Sequence, residues 1–350
     1  MRNKRRVAKR LIQGLAGQDF TGQDWSGANL ANTDLTGTLF IASNLNQAQL
    51  EGSLLNNTDV SYANMKGAGL QRVVSSGLIA NFTNLEGVLG QNNILHHSRF
   101  STANLNSSDF SMSDFQSSSF EKSSFEYAAL VRANLAYSSV RETKFSRSNL
   151  EDSNWNFAES YEVHLTDASL LMADLSNAKF TKANARGAIF NRVKGHSCVF
   201  TDSEFQHTAM KYADFSKASF DLVKFQIGTD MQEALFVSAN LKDSRFFKVL
   251  GEKTNFHSAI FMDTVFSQCQ LPEAKFQNAH LMGAQFHDTN LYGANFIGAN
   301  LQEGLLQNVD LRAADLSNCN VEGLVFKNVQ IGLTTRLPTL TPEQRRGVYL

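Results

Sequence analysis

The chain has 350 residues, 42% hydrophobic and 19% charged, with a formal net charge of −1. Its length alone suggests about two domains, the near-neutral balance gives no general attraction for nucleic acid or an anionic membrane, and no apolar run approaches the roughly 18 residues of a membrane span. Three cysteines, Cys198, Cys269 and Cys319, cannot all pair and have no metal-ligand spacing, which argues against a disulfide framework and a zinc site.

Residues 1–15 are expected to form a basic, helical capping segment. Within NKRRVAKRLIQG (3–14), Val7, Leu11 and Ile12 fall near one helical face, with Leu15 beyond and cationic residues elsewhere. LIQGLAGQ is too short and too polar for the core of a signal peptide, so a cytoplasmic protein is expected. Arg2, Lys4, Arg5, Arg6, Lys9 and Arg10 are candidate contacts for an acidic partner, weighed against the commoner role of a charge run as a solvated face.

From Phe20 onward a large apolar residue recurs every fifth position: Phe20, Trp25, Leu30, Leu35, Phe40 and so on to Phe225. QIGTDMQEAL (226–235) adds one residue, and the series resumes at Phe236 and runs to Ile331. Of these 62 positions 55 carry a large apolar side chain, and they take 24 of the 27 phenylalanines. Five is neither the helical nor the strand period. Two places before each centre stands a small residue (Ala28, Ser43, Ala63, Ala103, Ser113), and the residue between is often Asp or Asn. In an extended segment, positions i−2 and i point one way and i−1 the other. Each unit therefore sends a small and a large side chain inward and a polar one outward, then turns a corner in two residues. Glycine and asparagine, frequent two places after the centre, accept the positive φ a corner needs. A unit this short cannot bury its own apolar face and must stack on its neighbours. In SSDFSMSDFQSSSFEKSSF (107–125), Phe110, Phe115, Phe120 and Phe125 are thus read as four inward centres.

The units SGANL, VRANL, LMADL, KYADF, YGANF and IGANL resemble the pentapeptide repeat family, A-(D/N)-L-x-x, over about residues 16–331. The resemblance implies an all-β solenoid: a right-handed quadrilateral parallel β-helix, four five-residue sides to a coil, with short helical or irregular end caps. Sixty-two units then make about 15 coils, roughly 75 Å at ~4.8 Å per rung. Phe205, Phe225, Phe246, Phe266 and Phe286 would form one column.

The series is irregular over 71–98, where Ser75, Ala80 and Gly90 hold centre positions and Val74, Ile79 and Leu89 stand one place early. Ser160, Ala185, Gly195 and Gly251 are isolated exceptions. A local bulge that moves the inward side chain by one residue accounts for this pattern, and a protruding loop is the alternative. Residues 332–350 are expected to be a tail or short helix. Thr341-Pro342-Glu343-Gln344 reads as a capping box with proline at the first helical position, closing the solenoid or joining two copies in a homodimer.

Chemistry-bearing patterns are scarce. The histidines His96, His196 and His257 share one surface column but are too far apart for a common metal, and no zinc-protease helix, paired CxxC, phosphate loop or nucleophile elbow occurs. An interior filled with stacked Phe and Leu leaves no concave site, so no enzyme, cofactor or metal is expected. Two aromatic pairs, Tyr62 with Phe82 and Tyr137 with Phe157, fall on the same corners of adjacent coils and are candidate contact residues. The expected function is a non-catalytic protein-interaction or scaffolding module of the bacterial cytoplasm, its protein partner unspecified. The alternative implied by the resemblance is a DNA mimic that regulates or protects a type II topoisomerase, gyrase. Residues 20–331 hold 31 acids and 23 bases, a net −8, against about −44 for 75 Å of duplex DNA.

Overall fold

The structure is a computed structural model that describes residues 14–350. The basic segment 1–13, with the capping helix expected there, lies outside the described residues. The chain divides into two compact units, one ending at Asp174 and the other running from Leu175 to Leu350. The first holds strands β1 (Val74–Ser76), β2 (Ile94–His96) and β3 (Glu159–Tyr161). The second holds β4 (Lys179–Thr181), β5 (Val199–Thr201), β6 (Glu204–Phe205), β7 (Lys224–Phe225), β8 (Arg245–Phe247), β9 (Val265–Ser267), β10 (Gln285–His287), β11 (Leu305–Gln307), β12 (Val325–Lys327) and β13 (Val329–Gln330). The helix α1 (Pro342–Arg346) and β14 (Val348–Tyr349) complete it.

Each unit is a parallel β-solenoid. In the first, Asp19, Leu39, Asp59, Ile79, Arg99, Ser119, Ser139 and Glu159 form one column of parallel bridges at a spacing of 20 residues. In the second, β6 to β12 pair in sequence order as a seven-stranded parallel sheet. Four five-residue sides therefore make one coil. The interior is a set of aromatic and aliphatic stacks: Phe110, Phe115, Phe120 and Phe125 are buried, with consecutive ring centroids 5.4, 5.3 and 5.2 Å apart. Phe225, Phe246, Phe266 and Phe286 stack along the axis of the second unit at 4.7, 4.5 and 4.5 Å.

Most inward serines and threonines are tolerated because their hydroxyls are satisfied locally, whereas the buried Ser160 Oγ has no hydrogen-bond partner among the described residues. Ser123 donates to the Phe120 carbonyl of its own corner at 2.7 Å, and Ser118 to the Leu95 carbonyl one coil earlier at 2.7 Å. The outward Asp and Asn residues hold the corner: Asp34 Oδ1 accepts the Thr36 amide at 3.0 Å, and Asn104 Oδ1 the Asn106 amide at 3.1 Å. Such an Asx turn explains why these two residues recur at the outward position. The corner is a β-turn with positive φ at its third residue. Ala63 donates to the Val60 carbonyl at 3.0 Å, and Tyr62 between them has φ 60°.

This conformation is not reserved for glycine or asparagine. Among the described residues 49 non-glycine positions adopt it, with Tyr, Phe, Lys, Glu and Leu among them. Left-handed backbone costs an ordinary residue roughly 1–2 kcal/mol. The ladder fixes it here, since the same corner amide also donates to the next coil, as Tyr62 does to the Asn81 carbonyl at 2.9 Å.

The irregular stretch differs from both readings offered for it. The bridges Leu54↔Val74, Val74↔Ile94 and Ile94↔Asp114 keep the spacing of 20, so residues 71–98 contain neither a bulge nor a protruding loop. Ser75, Ala80 and Gly90 stay inward and buried, and Val74 and Leu89 are exposed on the outside. The missing volume is supplied from the next coil. A Cβ on Gly90 would lie 2.4 Å from Phe110 Cε1, one on Gly195 2.4 Å from Phe215 Cδ1, and one on Gly251 2.6 Å from Leu271 Cδ2.

Between Phe225 and Asp230 the spacing becomes 21, as in Phe225↔Phe246 and Ala209↔Asp230. The extra residue is absorbed by the corner Gln226–Thr229, where Gly228 has φ 78°. At the C-terminal end α1 carries a full capping box between Thr341 and Gln344 with Pro342 in the first turn. Gln344 Nε2 donates to the Val321 and Leu324 carbonyls at 2.7 and 3.2 Å, and β14 pairs with β13, so α1 and β14 pair with backbone groups of the last coil.

Candidate functional site

Nearly all inward side chains of both units are buried. The interior of the first encloses a cavity of about 10 Å³ lined by Leu55, Val60, Met65, Leu70, Ala80 and Phe110, among others, room for about one water. The buried thiols are unreactive in character: burial pushes Cys269 and Cys319 up to about 11 and Cys198 higher still. His96 Nε2 lies 2.9 Å from Asp114 Oδ2 without the alignment of a hydrogen bond, and His196 Nε2 lies 2.9 Å from Asp214 Oδ2. Both pairs sit on the outer surface. Among the described residues no group of three or more His, Cys, Asp or Glu is placed to hold a metal, and no helix is long and apolar enough to cross a membrane.

The outer surface is where side chains come together, and the 20-residue repeat decides which. Residues one coil apart on a corner are neighbours, so a corner is a ladder of stacked side chains. Tyr62 and Phe82 stack with centroids 4.8 Å apart and planes at 4°, and they are 61% and 51% exposed. Tyr137 and Phe157 stack at 5.1 Å and 6° and are similarly exposed. Each ring turns its edge to solvent while the shared face stays covered. The Tyr62–Phe82 ladder ends on small residues, Ala42 before Tyr62 and Thr102 after Phe82.

Beside each pair runs an amide ladder. Asn104, Asn84 and Asn64 each donate from Nδ2 to the preceding rung's Oδ1 at 3.3, 3.3 and 3.5 Å, alongside Tyr62 and Phe82. Asn154 donates in the same way to Asn134 at 3.0 Å, three residues before Phe157 and Tyr137 respectively. Both sites thus combine exposed aromatic edges with a row of planar polar groups, the mix found at contact hot spots.

Other corner ladders were missed by a search for aromatics alone. Arg147 lies over the Tyr127 ring at 5.5 Å, within reach of the Tyr127 hydroxyl and 3.7 Å from Asp167. Arg192 covers Tyr212 and Arg312 covers Tyr292, each at 5.9 Å. The spacing of 20 between Tyr127, Arg147 and Asp167 was the available signal. A further surface lies on one side of the first unit, where Leu54, Val74 and Ile94 occupy consecutive rungs and remain exposed. The candidate contacts Arg2, Lys4, Arg5, Arg6, Lys9 and Arg10 lie outside the described residues.

An open apolar groove of about 340 Å³ is formed by Ile331, Leu337, Pro338, Leu340, Arg345 and Val348 near the C-terminal end. Elsewhere the faces carry mixed charge. Lys66 pairs with Glu86 at 2.9 Å, Lys211 with Asp230 at 3.0 Å, Lys224 with Glu204 at 2.8 Å and Lys253 with Glu252 at 3.1 Å.

Comparison with known families returns the same five-residue repeat. Residues 259–335 match a pentapeptide repeat region, and residues 15–38, 33–72, 113–152 and 161–194 match pentapeptide repeats in eight copies. No curated protein matches the chain. Among solved structures, the chain is similar to HetL, a pentapeptide repeat protein involved in heterocyst differentiation regulation in the cyanobacterium Nostoc sp. strain PCC 7120. The two are 22% identical over 67% of this chain and 90% of HetL, with a TM-score of 0.26. It is also similar to a pentapeptide repeat protein, Rfr23, of the cyanobacterium Cyanothece 51142, at 24% identity over 31% of this chain and 64% of that one, with a TM-score of 0.21. QnrB1, a plasmid-mediated fluoroquinolone resistance protein, is 14% identical over 53% of this chain and 82% of its own, with a TM-score of 0.31.

Proposed function

The chain belongs to the pentapeptide repeat family, and from that premise we propose that it is a non-catalytic interaction module whose solenoid faces bind a protein partner. The observation that carries this reading is the pair of exposed, coplanar aromatic ladders, Tyr62–Phe82 and Tyr137–Phe157, each beside an amide row. A stacked pair costs little entropy to order on binding, because its backbone is already fixed by the coil and its rings already hold one another. The filled interior supports the same reading, since hydroxyls such as those of Ser118 and Ser123 are bonded to carbonyls and the thiols are held neutral. The groove by Leu337 and Leu340 supports the end segment as the place for a second copy, which equilibrium sedimentation would register.

The gyrase-protecting DNA mimic stands as the second reading. Such a mimic needs a continuous anionic face, whereas the cations of Lys66, Lys211, Lys224 and Lys253 sit among the carboxylates here and pair with them. Protection of gyrase from a quinolone at a near-stoichiometric ratio would reverse this preference.

Affinity capture with the wild-type chain, and with Tyr62→Ser and Phe82→Ser combined, tests the leading reading. A partner held by the wild type and lost from the double variant supports it, and an identical set of proteins on both refutes it. Both residues are exposed, so the double variant keeps its fold, and the fluorescence of the buried Trp155 checks this.

A further inference from the structure

We propose that the strip formed by Leu54, Val74 and Ile94 on the outer face of the first unit binds an amphipathic helix of a protein partner, apolar along one stripe and cationic at both ends of it. Three consecutive rungs of that face carry aliphatic side chains that are 40%, 37% and 43% exposed. The same column holds Asp34, Asp114, Asn134 and Asn154 at other rungs, so the strip is an apolar interruption of a polar face.

The backbone of the strip leaves one mode of docking. Leu54, Val74 and Ile94 are each bridged to the rung before and the rung after, from Asp34 through to Asp114, so no free edge remains to which a partner strand could add. Recognition must run through side chains along the axis, at ~4.8 Å per rung. An amphipathic helix repeats its apolar stripe every three or four residues, about 5.3 Å per step, and drifts from the rungs by about 1 Å over three positions. Side chains on one face of an extended strand are about 6.7 Å apart and would drift by about 4 Å. The helix matches the rungs and the strand does not. Two corners beside the strip carry Gly52 and Gly77, where no side chain stands in the way of approach.

Charge selects the ends of the helix. Residues 14–174 hold 17 acids and 8 bases, a net −9, whereas residues 175–350 hold 16 acids and 18 bases, so the first unit is the one that attracts a cationic partner. Asp34 is the rung before Leu54 and Asp114 the rung after Ile94, so the aliphatic rungs lie between two carboxylates on one column. Hydrogen bonding from Thr36 keeps the Asp34 carboxyl below its ordinary range and therefore charged. Asp114 Oδ2 lies 2.9 Å from His96 Nε2. Glu51 adds a third carboxylate on the adjoining corners, where Arg72 is the one Lys or Arg. Four rungs separate Asp34 from Asp114, roughly 19 Å, the rise of about 13 helical residues. The complement is a helix with a cation at its first position, apolar residues at the fourth, eighth and eleventh, and a cation at the fifteenth.

The size of the strip sets the class of contact. Full burial of an aliphatic side chain removes about 60–120 Å² from water, so at these exposures the strip offers roughly 100 Å². A stable contact with a second copy needs about 800 Å² from each partner. The strip fits the narrow, transient docking of a single helix. It is a second contact surface of the interaction module proposed above, and it is independent of Tyr62 and Phe82, whose corner does not border this face.

The test uses the full chain and a fluorescein-labelled peptide of that pattern, read by fluorescence anisotropy. The peptide has lysine at both ends, leucine at the three apolar positions and alanine and glutamine elsewhere, with a hydrocarbon staple on its far face to hold the helix. Saturable binding is expected. It should weaken several-fold when Leu54→Ser, Val74→Ser and Ile94→Ser are combined, when the three leucines are scattered around the helix at the same composition, and when both lysines become glutamate. The Tyr62→Ser, Phe82→Ser variant should bind the peptide as the wild type does, so failure here and failure of the aromatic-ladder reading are separate results. No saturable binding would overturn the inference, as would equal affinity for the triple variant or for the scattered peptide. A wild-type dimer in sedimentation that the triple variant loses would also overturn it, since the strip would then serve a second copy. Unchanged Trp155 fluorescence shows that the variants remain folded.

Discussion

Replacing Gly90 with alanine asks whether the phenylalanine stack has the directed packing described above. A Cβ at Gly90 would lie 2.4 Å from Phe110 Cε1, 2.6 Å from its Cδ1 and 3.1 Å from Asn93 Nδ2. The first two distances are far inside contact, and the ring has little freedom to retreat: Phe110 is buried, and its centroid is 5.4 Å from that of Phe115. Overpacking of this kind costs about 1–3 kcal/mol. Gly90 has no left-handed backbone, so the smaller conformational freedom of alanine in the unfolded chain gives back about 0.4–1 kcal/mol. The expected net loss is about 1–2 kcal/mol, read as a lower urea midpoint from the fluorescence of Trp155, buried in the same unit. Phe110→Leu removes the clashing ring atoms. In the double variant the two losses should therefore fail to add by about 1 kcal/mol or more, whereas independent sites add within ~0.3–0.5 kcal/mol. A Gly90→Ala protein as stable as the wild type, or strict additivity with Phe110→Leu, would refute the claim that Phe110 fills the space above Gly90.

Three further outcomes follow from the same geometry. Phe115→Asp places a carboxylate among Phe100, Phe110 and Phe120 with no partner and should abolish cooperative unfolding of the first unit; a stable variant would mean that the inward assignment is wrong. The three thiols, their ionisation pushed up by burial, should resist iodoacetamide at pH 8 in the folded protein and react together in urea, and prompt labelling of the native chain would contradict this. Asp310, held by the Arg312 guanidinium, and Asp315, held by Ser317, both lie below the ordinary carboxylate range. Their contribution to stability is present in full above about pH 4 and is lost as the pH falls below it. Asp310→Asn should therefore flatten the decline in urea midpoint between pH 5 and pH 3, and an unchanged slope would count against that contribution.

The fivefold period was legible because it records a local requirement, one large inward side chain on every side of every coil. With the four sides per coil that the family resemblance implies, Phe110 to Phe125 could be assigned to a single coil. Corner conformation was less legible. Glycine and asparagine hinted at positive φ, yet Tyr62, Lys122 and Glu142 adopt it equally, because their amides are held by carbonyls of the following coil.

The exceptions were misread for a related reason. Gly90 suggested a shifted frame, since nothing near it in sequence fills the space that Phe110, twenty residues on, leans into. Keeping the frame turns Val74 outward, and with it the aliphatic strip becomes visible. The aromatic corners Tyr62–Phe82 and Tyr137–Phe157 could be paired from their spacing together with the coil length that the resemblance implies, whereas their parallel stacking and neighbouring amide rows needed coordinates.

The central claim is that function resides on the outer faces and uses the aromatic ladders. Quantitative capture from the native host, comparing the wild type with the Tyr62→Ser, Phe82→Ser double variant, tests it most directly. The account predicts at least one protein enriched severalfold on the wild type and lost from the variant, with Trp155 fluorescence unchanged. Equal capture by both, or no enriched protein on either, would contradict it.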